Sequence, residues 1–98
     1  MKVLALSRPI NRPLSELAPF LLDEARAIWS LSMEAVVREQ YVRDDGGVAL
    51  ILESADLSTA VLHLGRLPLV AHGLLEFDVW ALAPFSPWAR LLRPVDEP

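Results

Sequence analysis

The chain has 98 residues, a net charge of −4 at pH 7 and no cysteine. This length fits one domain. The lack of cysteine excludes disulfides, thiolate zinc sites and cysteine nucleophiles, and the acidic balance disfavours nucleic acid and anionic membrane surfaces as partners. The apolar fraction of 53% is high for a small domain with a thin core. We therefore expect a second copy of the chain to cover part of that apolar surface.

The apolar runs are too short for a membrane. Proline, glycine, histidine or a charge interrupts each of them within about ten residues, whereas a spanning helix needs about 20. The run within Met1–Ser7 is also too short for the core of a signal peptide. We expect a cytoplasmic homodimer or higher homo-oligomer, with a small molecule as a possible ligand and no nucleic-acid or membrane partner.

The first half of the chain predicts a strand, a helix and a second strand. Lys2–Ser7 predicts strand one, which the following prolines end. The helix begins at Ser15 or at the Ala18–Pro19 step, and Glu24 is predicted on its polar side. Its predicted buried stripe recurs at three- and four-residue spacing: Leu21, Leu22, Ala25, Ile28 and Trp29. β-branched and aromatic residues then predict strand two over Ala35–Arg43.

The second half continues with a hairpin and another helix. The Asp-Asp-Gly-Gly sequence at 44–47 predicts a tight turn, because glycine supplies the positive φ that such turns need. Val48–Glu53 returns as strand three. Asp56, or alternatively Ser54, caps the second helix, which Pro68 stops. The predicted buried stripe of this helix is apolar: Leu57, Ala60, Val61 and Leu64.

Strand four carries the residues on which the functional predictions depend. It follows a turn at His72–Gly73 and runs from about Leu74 to Leu82. Because side chains alternate across a pleat, Glu76, Asp78 and Trp80 share one face. The opposite face is apolar: Leu75, Phe77, Val79 and Ala81. Burial beside the tryptophan would raise the pKa of a carboxylate, and repulsion between the two carboxylates would raise one of them further.

The order of elements predicts an α+β fold in a single domain, 1–98. A β-α-β-β-α-β order is typical of a ferredoxin-like four-stranded antiparallel sheet with both helices on one face. Strands two and three are predicted to be buried on both faces, so we expect two sheets to pack together as a dimeric α+β barrel. The segment 84–98 is too apolar for a solvated tail, and we expect it to dock on a neighbouring subunit. Its apolar residues include Phe85, Trp88, Leu91 and Leu92.

This order and two short motifs resemble the muconolactone isomerases and their relatives. Leu67-Pro68-Leu69 is followed by Leu75-Glu76-Phe77-Asp78, and the family has a similar Leu-Pro-Leu and an apolar-Glu-apolar-Asp strand at the same separation. Arg38 on strand two also matches. The resemblance reaches to about Pro84, beyond which the tail departs from the family with Trp88 and its leucines.

The resemblance implies an isomerase that moves a double bond in a small lactone without a cofactor. Such a reaction needs a base that takes a proton α to a carbonyl and a group that stabilises the enolate. We predict Glu76 and Asp78 as the carboxylates, with Arg38 or Arg8 stabilising the enolate or binding a substrate carboxylate. Further substrate contacts are predicted from Arg8, Tyr41, His72 and Trp80. No metal site is predicted, since the spacing of the two histidines matches none.

Each of these residues also has a structural interpretation. Glu76 and Asp78 would pair with arginines across the sheet or the dimer interface, His72 would occupy a turn, and Tyr41 would pack across strands. Two other functions stay open, because a fold fixes no chemistry. One is a cofactor-free monooxygenase or haem-binding barrel, and the other is a non-catalytic small-molecule-binding or assembly module. Ion-paired carboxylates without a cavity beside Trp80 would favour the non-catalytic module.

Overall fold

The computed structural model describes residues 1–92. Four strands form one antiparallel sheet: β1 Lys2–Ser7, β2 Val37–Val42, β3 Val48–Glu53 and β4 Phe77–Leu82. The helices are α1 Leu14–Leu17, α2 Leu21–Met33, α3 Leu57–Leu64 and α4 Pro68–Ala71, with 3₁₀ turns at Ala18–Phe20 and Ser86–Leu92. The α+β class and the four-stranded antiparallel sheet are thereby confirmed. The strand order, β2-β3-β1-β4, is compatible with the ferredoxin-like arrangement.

The core lies between one face of the sheet and the helices. Val3 and Ala5 on β1 alternate with half-buried neighbours, as expected for a strand with one face covered. Leu50 and Leu52 on β3 extend the same buried layer. The buried core comprises Val3, Ala5, Leu31, Val37, Leu50, Leu52, Ala60, Leu64 and Leu67. On β4, Phe77 and Val79 of the predicted apolar face pack against this core, whereas Ala81 is exposed. The strand begins at Phe77, three residues later than predicted.

The predicted tail follows β4. Every residue over 83–92 is exposed, including the 3₁₀ turn at Ser86–Leu92, and the rest of the tail, 93–98, lies outside the described residues. Docking of the tail on a neighbouring subunit stays a prediction.

The buried side of α2 differs from the predicted stripe. Leu22 and Trp29 are 63% and 67% exposed. Glu24 and Leu31 are buried instead, and Ile28 is half-buried against the core. These three positions have the spacing of one helix face, and the carboxylate is accommodated there because a backbone amide of α4 donates to it. A pattern that counts only apolar residues therefore placed the wrong side of the helix inward.

Strand two is shorter and more exposed than predicted. Ala35 has φ of 60°, a left-handed conformation that separates the end of α2 from the start of β2. In β2 only Val37 is buried, because this strand lies at the edge of the sheet. Within the single chain, the prediction that strand two is buried on both faces is therefore wrong. β-branched residues fit a pleated surface whether or not that surface is covered.

Asp56 caps α3 as predicted, and its Oδ1 accepts a hydrogen bond from the amide of Thr59 at 2.7 Å. Ala60 and Leu64 of the predicted stripe are buried, whereas Leu57 and Val61 are exposed. The prediction that Pro68 stops this helix is wrong, because α3 ends at Leu64 with Gly65 as its C-cap. Pro68 instead begins α4, where proline suits the first helical position.

Replacing Asp56 with alanine is expected to lower Tm by roughly 4–8 °C, the usual scale for losing an N-cap in a domain of this size. The Thr59 amide holds the pKa of Asp56 below its ordinary value. The stabilisation is therefore present above the carboxyl's unfolded-state pKa and is lost as the pH falls through the folded-state pKa. Thermal unfolding at pH 7 and pH 3 measures both effects. Asp56→Asn, which keeps an acceptor, is the control, and an equal loss in that variant would contradict the capping role.

The sheet face that points away from the core is apolar at its centre and charged toward its margins, where Asp78 lies opposite Leu6 and Glu39 lies opposite Ile51. The register places Leu4 between Ile51 on β3 and Trp80 on β4. We define the open sheet face as Leu4, Leu6, Tyr41, Ala49, Ile51 and Trp80; none of these side chains is fully buried. Within residues 1–92, no helix has the length and apolar character required to cross a bilayer.

Candidate functional site

The two carboxylates predicted on strand four are brought together by one arginine. Arg8 follows β1 directly, and its amide donates to the Glu76 carbonyl at 2.8 Å. Its guanidinium donates to Asp78 Oδ1 from Nε at 3.0 Å and from Nη2 at 2.7 Å, while Nη1 contacts Glu76 Oε2. All three side chains are about half exposed. The geometry is therefore that of a surface ion-pair cluster.

Asp78 does not have the raised pKa that the sequence predicts. The Arg8 hydrogen bond holds the pKa of Asp78 below its ordinary value, because donation to the charged form favours ionisation. Trp80 lies further along β4 on the open sheet face and lines neither of the two cavities described below. The proposed desolvation of a carboxylate beside Trp80 is therefore wrong for Asp78.

Arg8→Gln is expected to return the pKa of Asp78 toward its ordinary range while changing Tm little, since half-exposed ion pairs contribute weakly. The lowered pKa means that any stabilisation by this pair is present above the unfolded-state pKa and is lost as the pH falls. An NMR titration of the Asp78 carboxyl carbon measures the shift. Arg12→Gln, on the same loop, is the control; an unchanged Asp78 titration in Arg8→Gln would contradict the assignment.

Arg38 and Tyr41 lie on the opposite edge of the sheet from this cluster. Arg38 Nε donates to the Ala35 carbonyl at 2.7 Å, and the Tyr41 hydroxyl donates to Glu39 at 2.6 Å, which raises the pKa of the tyrosine. Because β2 and β4 are separated by β3 and β1, these residues are roughly 14 Å away in the sheet. Arg38 therefore does not join the strand-four carboxylates.

His72 forms part of the helical layer. Its Nδ1 lies 2.8 Å from the Pro68 carbonyl, and its ring packs against Phe20 with centroids 4.4 Å apart. His72 therefore lies at the end of α4, outside the Arg8 cluster.

Three of the predicted site residues share one face of the sheet. Asp78, Trp80 and Tyr41 lie on the open sheet face, with β3 and β1 between Tyr41 and β4. Arg38 lies at the start of β2. The predicted site residues therefore do not form one site within a single chain.

A cavity of about 530 Å³ lies at the end of β1, between the sheet and α2. This volume is in the range of small-molecule sites. Its walls are mostly apolar: Pro9, Ile10, Leu17, Leu21, Ile28, Val48, Leu69, Leu75 and Phe77. Polar groups also line it: Ser7, Arg8, Glu24, Arg43 and Asp45. A second cavity of about 440 Å³ adjoins it along the loop at 8–13.

Glu24 is the one buried carboxyl among residues 1–92, and it lies in the wall of the larger cavity. Its Oε1 accepts from the Leu69 amide at 2.9 Å, a first-turn donor of α4 with no partner inside that helix. Among residues 1–92, Oε1 is the Glu24 oxygen with a hydrogen-bond donor, and no fully buried side-chain oxygen lacks a partner. Oε2 is therefore not fully enclosed by protein, and Glu24 lines the cavity.

Burial raises the pKa of Glu24, and the hydrogen bond from Leu69 opposes this only in part. A carboxyl of this kind takes up and releases a proton closer to neutral pH than an exposed glutamate does. The sequence contained a signal for it: Glu24, Ile28 and Leu31 share a helix face, and Leu-Pro-Leu at 67–69 begins a helix whose amides need acceptors. Treating every charged residue as outward-facing concealed that signal.

The β2–β3 turn supplies a cation to the cavity wall. Arg43 Nε and Nη2 each lie 3.0 Å from the Asp45 carboxylate, whose Oδ1 also accepts from the Gly47 amide at 2.8 Å. A Cβ at Gly47 would overlap the Arg43 guanidinium. Glycine is therefore needed for the guanidinium to rest against the turn, and the predicted turn at 44–47 is confirmed, with φ of 85° at Gly46.

Ser7 adds a neutral polar group to the same wall. The Val48 amide donates to Ser7 Oγ at 2.8 Å, and the structure records no acceptor for the Ser7 hydroxyl proton among residues 1–92. The cavity thus combines a carboxyl that exchanges protons, a hydroxyl donor and a guanidinium within apolar walls. Such a set is suited to binding a small carbonyl compound and moving a proton on it.

Residues 1–92 contain no group of three or more histidine and carboxylate side chains placed to hold a metal ion. Comparison of the sequence with models of known protein families gives no match, and comparison with curated proteins gives none either. The likeness to the muconolactone isomerases therefore stays a prediction, based on the order of elements, on the motifs at Leu67–Leu69 and Leu75–Asp78, and on Arg38.

Proposed function

We propose that this protein binds a small carbonyl compound in the cavity between the sheet and α2, and isomerises it by moving a proton α to the carbonyl. The observation that carries the proposal is Glu24, a buried carboxyl that lines a mostly apolar cavity and has one oxygen held by the Leu69 amide. Glu24 takes the role of base that the sequence pattern assigned to Glu76 and Asp78. The resemblance to muconolactone isomerases supports a lactone as the substrate class.

The raised pKa of Glu24 fits this role. A general base works best when its pKa lies near the working pH, and burial shifts glutamate in that direction. Apolar walls keep water from competing for the proton and strengthen each polar contact inside. In a β,γ-unsaturated lactone, Glu24 removes the α proton to give the dienolate and, once protonated, delivers the proton to the γ carbon. The double bond thereby moves to the α,β position without an added reactant.

Two further side chains support the enolate that forms between these steps. The Ser7 hydroxyl can donate to the developing oxyanion, and the Arg43 guanidinium supplies positive charge from the turn. Of the two arginines predicted for this role, Arg8 lines the cavity and Arg38 does not, because Arg38 lies at the start of β2. Arg43 joins Arg8 in the cavity wall in place of Arg38.

We further propose that the protein is a homodimer whose two sheets pack face to face, forming a dimeric α+β barrel. The open sheet face supports this, since Trp80 and Tyr41 are 48% and 56% exposed and lie beside half-buried Leu4 and Ile51. Large exposed apolar patches are typical of interaction surfaces. A partner sheet would cover the same side chains that the single chain leaves open.

A non-catalytic binding module is the second candidate. Arg8 ion-pairs both Glu76 and Asp78, and Trp80 lines neither of the two cavities; both observations are the ones expected of such a module. Under this alternative the cavity and the dimer are retained, and Glu24 serves only to tether α4 to α2.

Incubating the purified protein with simple butenolides in D₂O tests the proposal. We expect deuterium at the α carbon and migration of the double bond, both followed by ¹H NMR. Binding without either change would support the non-catalytic module. If the protein neither binds a butenolide nor exchanges deuterium into it, the proposed function is contradicted.

A further inference from the structure

The loop that follows β1 separates two cavities. The larger one, between the sheet and α2, is here called the inner cavity, and the one along the loop at 8–13 is called the outer cavity. Three consecutive residues line both of them: Arg8, Pro9 and Ile10. These residues therefore form the wall between the two spaces.

Ile10 is the residue of this wall that is withdrawn from water. Arg8 and Pro9 are exposed, whereas Ile10 is half-buried. The guanidinium of Arg8 is held on β4 by Glu76 and Asp78, and the ring of Pro9 is tied back to its own backbone. The side chain that closes the wall from within is therefore that of Ile10.

The backbone on either side of Ile10 is restrained. The Arg8 amide donates to the Glu76 carbonyl at 2.8 Å, and the Pro13 carbonyl accepts from the Glu16 amide at 3.0 Å. Pro9 and Pro13 also have a fixed φ. Because restrained surroundings collapse only in part into the space that a shortened side chain leaves, we expect truncation of Ile10 to open the wall.

The two cavities differ in what they offer a ligand. The inner cavity has mostly apolar walls and the buried carboxyl of Glu24. In the outer cavity the charged side chains pair with one another, Arg12 with Glu16 at 3.1 Å and Arg8 with Glu76. Recognition of a small carbonyl compound is therefore a property of the inner cavity, and the outer cavity is additional space behind the wall.

We propose that Ile10 determines which ligands the protein accepts, by closing the inner cavity at the loop and excluding molecules whose chain would extend into the outer cavity. The proposal rests on the proposed function for the class of ligand, a small carbonyl compound, and restricts it to compact rings without a long chain on the side that faces the loop. In an apolar pocket a single methylene group changes selectivity by about tenfold or more, so one isoleucine side chain is sufficient for this limit.

The natural chain has no cysteine, so a thiol introduced in the inner cavity is the single labelling site. Ser7→Cys places it at the end of β1, where the residue is 5% exposed and lines the inner cavity but not the outer one. Methyl and hexyl methanethiosulfonate attach a short or a long chain to this thiol through a disulfide, and intact mass measures both rates. We expect Ile10→Ala in this background to raise the ratio of the hexyl rate to the methyl rate at least about tenfold.

Leu21→Ala in the same background is the matched control. Leucine and isoleucine lose the same number of carbon atoms on becoming alanine, and Leu21 lines the inner cavity but not the outer one. Its ratio should stay at the value of Ser7→Cys alone. Val48→Cys, also on the wall of the inner cavity, is a second background in which the same results are expected, and circular dichroism verifies the fold of each variant.

A ratio that Ile10→Ala leaves unchanged in both backgrounds would overturn the proposal, and so would an equal rise with Leu21→Ala. Because the probes are thiosulfonates, the result does not depend on isomerase activity. The expected ratios in a protein that neither binds a butenolide nor exchanges deuterium into it would support the size limit and contradict only the proposed function.

Discussion

Glu24→Gln is expected to slow deuterium exchange and isomerisation of a bound butenolide at least about a hundredfold, the scale of losing a general base. The fold should be retained, because the glutamine side-chain carbonyl accepts the same Leu69 amide that Glu24 Oε1 accepts at 2.9 Å. ¹H NMR in D₂O measures the exchange rate, and thermal unfolding verifies the fold. Glu16→Gln, on the exposed first helix, is the control and should exchange at the wild-type rate.

The pH dependence of exchange and of stability distinguishes the wild type from Glu24→Gln further. Burial raises the pKa of Glu24, so wild-type exchange should rise with pH through that pKa and then level off. The sign for stability is opposite: the folded state prefers the protonated carboxyl, so this stabilisation is present below the unfolded-state pKa and is lost as pH rises through the folded-state pKa. Glu24→Gln should therefore be no less stable than the wild type at neutral pH. Wild-type exchange rates in Glu24→Gln would contradict the assigned base.

Trp80→Glu is expected to convert a sheet-to-sheet dimer into monomers, raising the dissociation constant at least about thirtyfold. A tryptophan at the centre of an interface commonly contributes this much, and a carboxylate there would lose its water on association. Sedimentation velocity over a concentration series measures the change. Because Trp80 is half-exposed and outside the core, the monomer should remain folded by circular dichroism.

Leu62→Glu is the matched control for the dimer. Leu62 lies on α3, on the other side of the sheet, and is 73% exposed. This variant should keep the wild-type dissociation constant. A wild-type protein that sediments as a monomer at high concentration, or a Trp80→Glu variant that associates like the wild type, would contradict packing through the open sheet face.

The sequence pattern was sufficient for the parts of the fold that local chemistry determines. Lys2–Ser7 and Val48–Glu53 have the predicted bounds, and Asp56 caps its helix through its side chain. The buried face of α2 could not be predicted in this way, because it depends on a hydrogen bond between Glu24 and Leu69, residues separated by 45 positions. Such a contact belongs to the assembled fold and leaves little trace in local periodicity.

The candidate site was predicted only in part, for a related reason. Alternation correctly placed Glu76 and Asp78 near one another, and Arg8 was correctly placed at the end of strand one, where it pairs with both. The prediction that Asp78 is buried beside Trp80 was wrong, because alternation along a strand determines which residues share a face but not whether that face is covered. The cavity residues come from separate segments that only the packing of α2 on the sheet brings together.

Mapping a bound butenolide by amide chemical shifts tests the central claim, that the cavity wall formed by Glu24 is the ligand site. In a ¹⁵N-labelled protein, we predict the largest shifts at the Leu69 amide, which donates to Glu24, and at the Gly47 amide, which donates to Asp45. Shifts confined to Asp78 and the Trp80 indole, with the Leu69 amide unmoved, would place the ligand on strand four and contradict it.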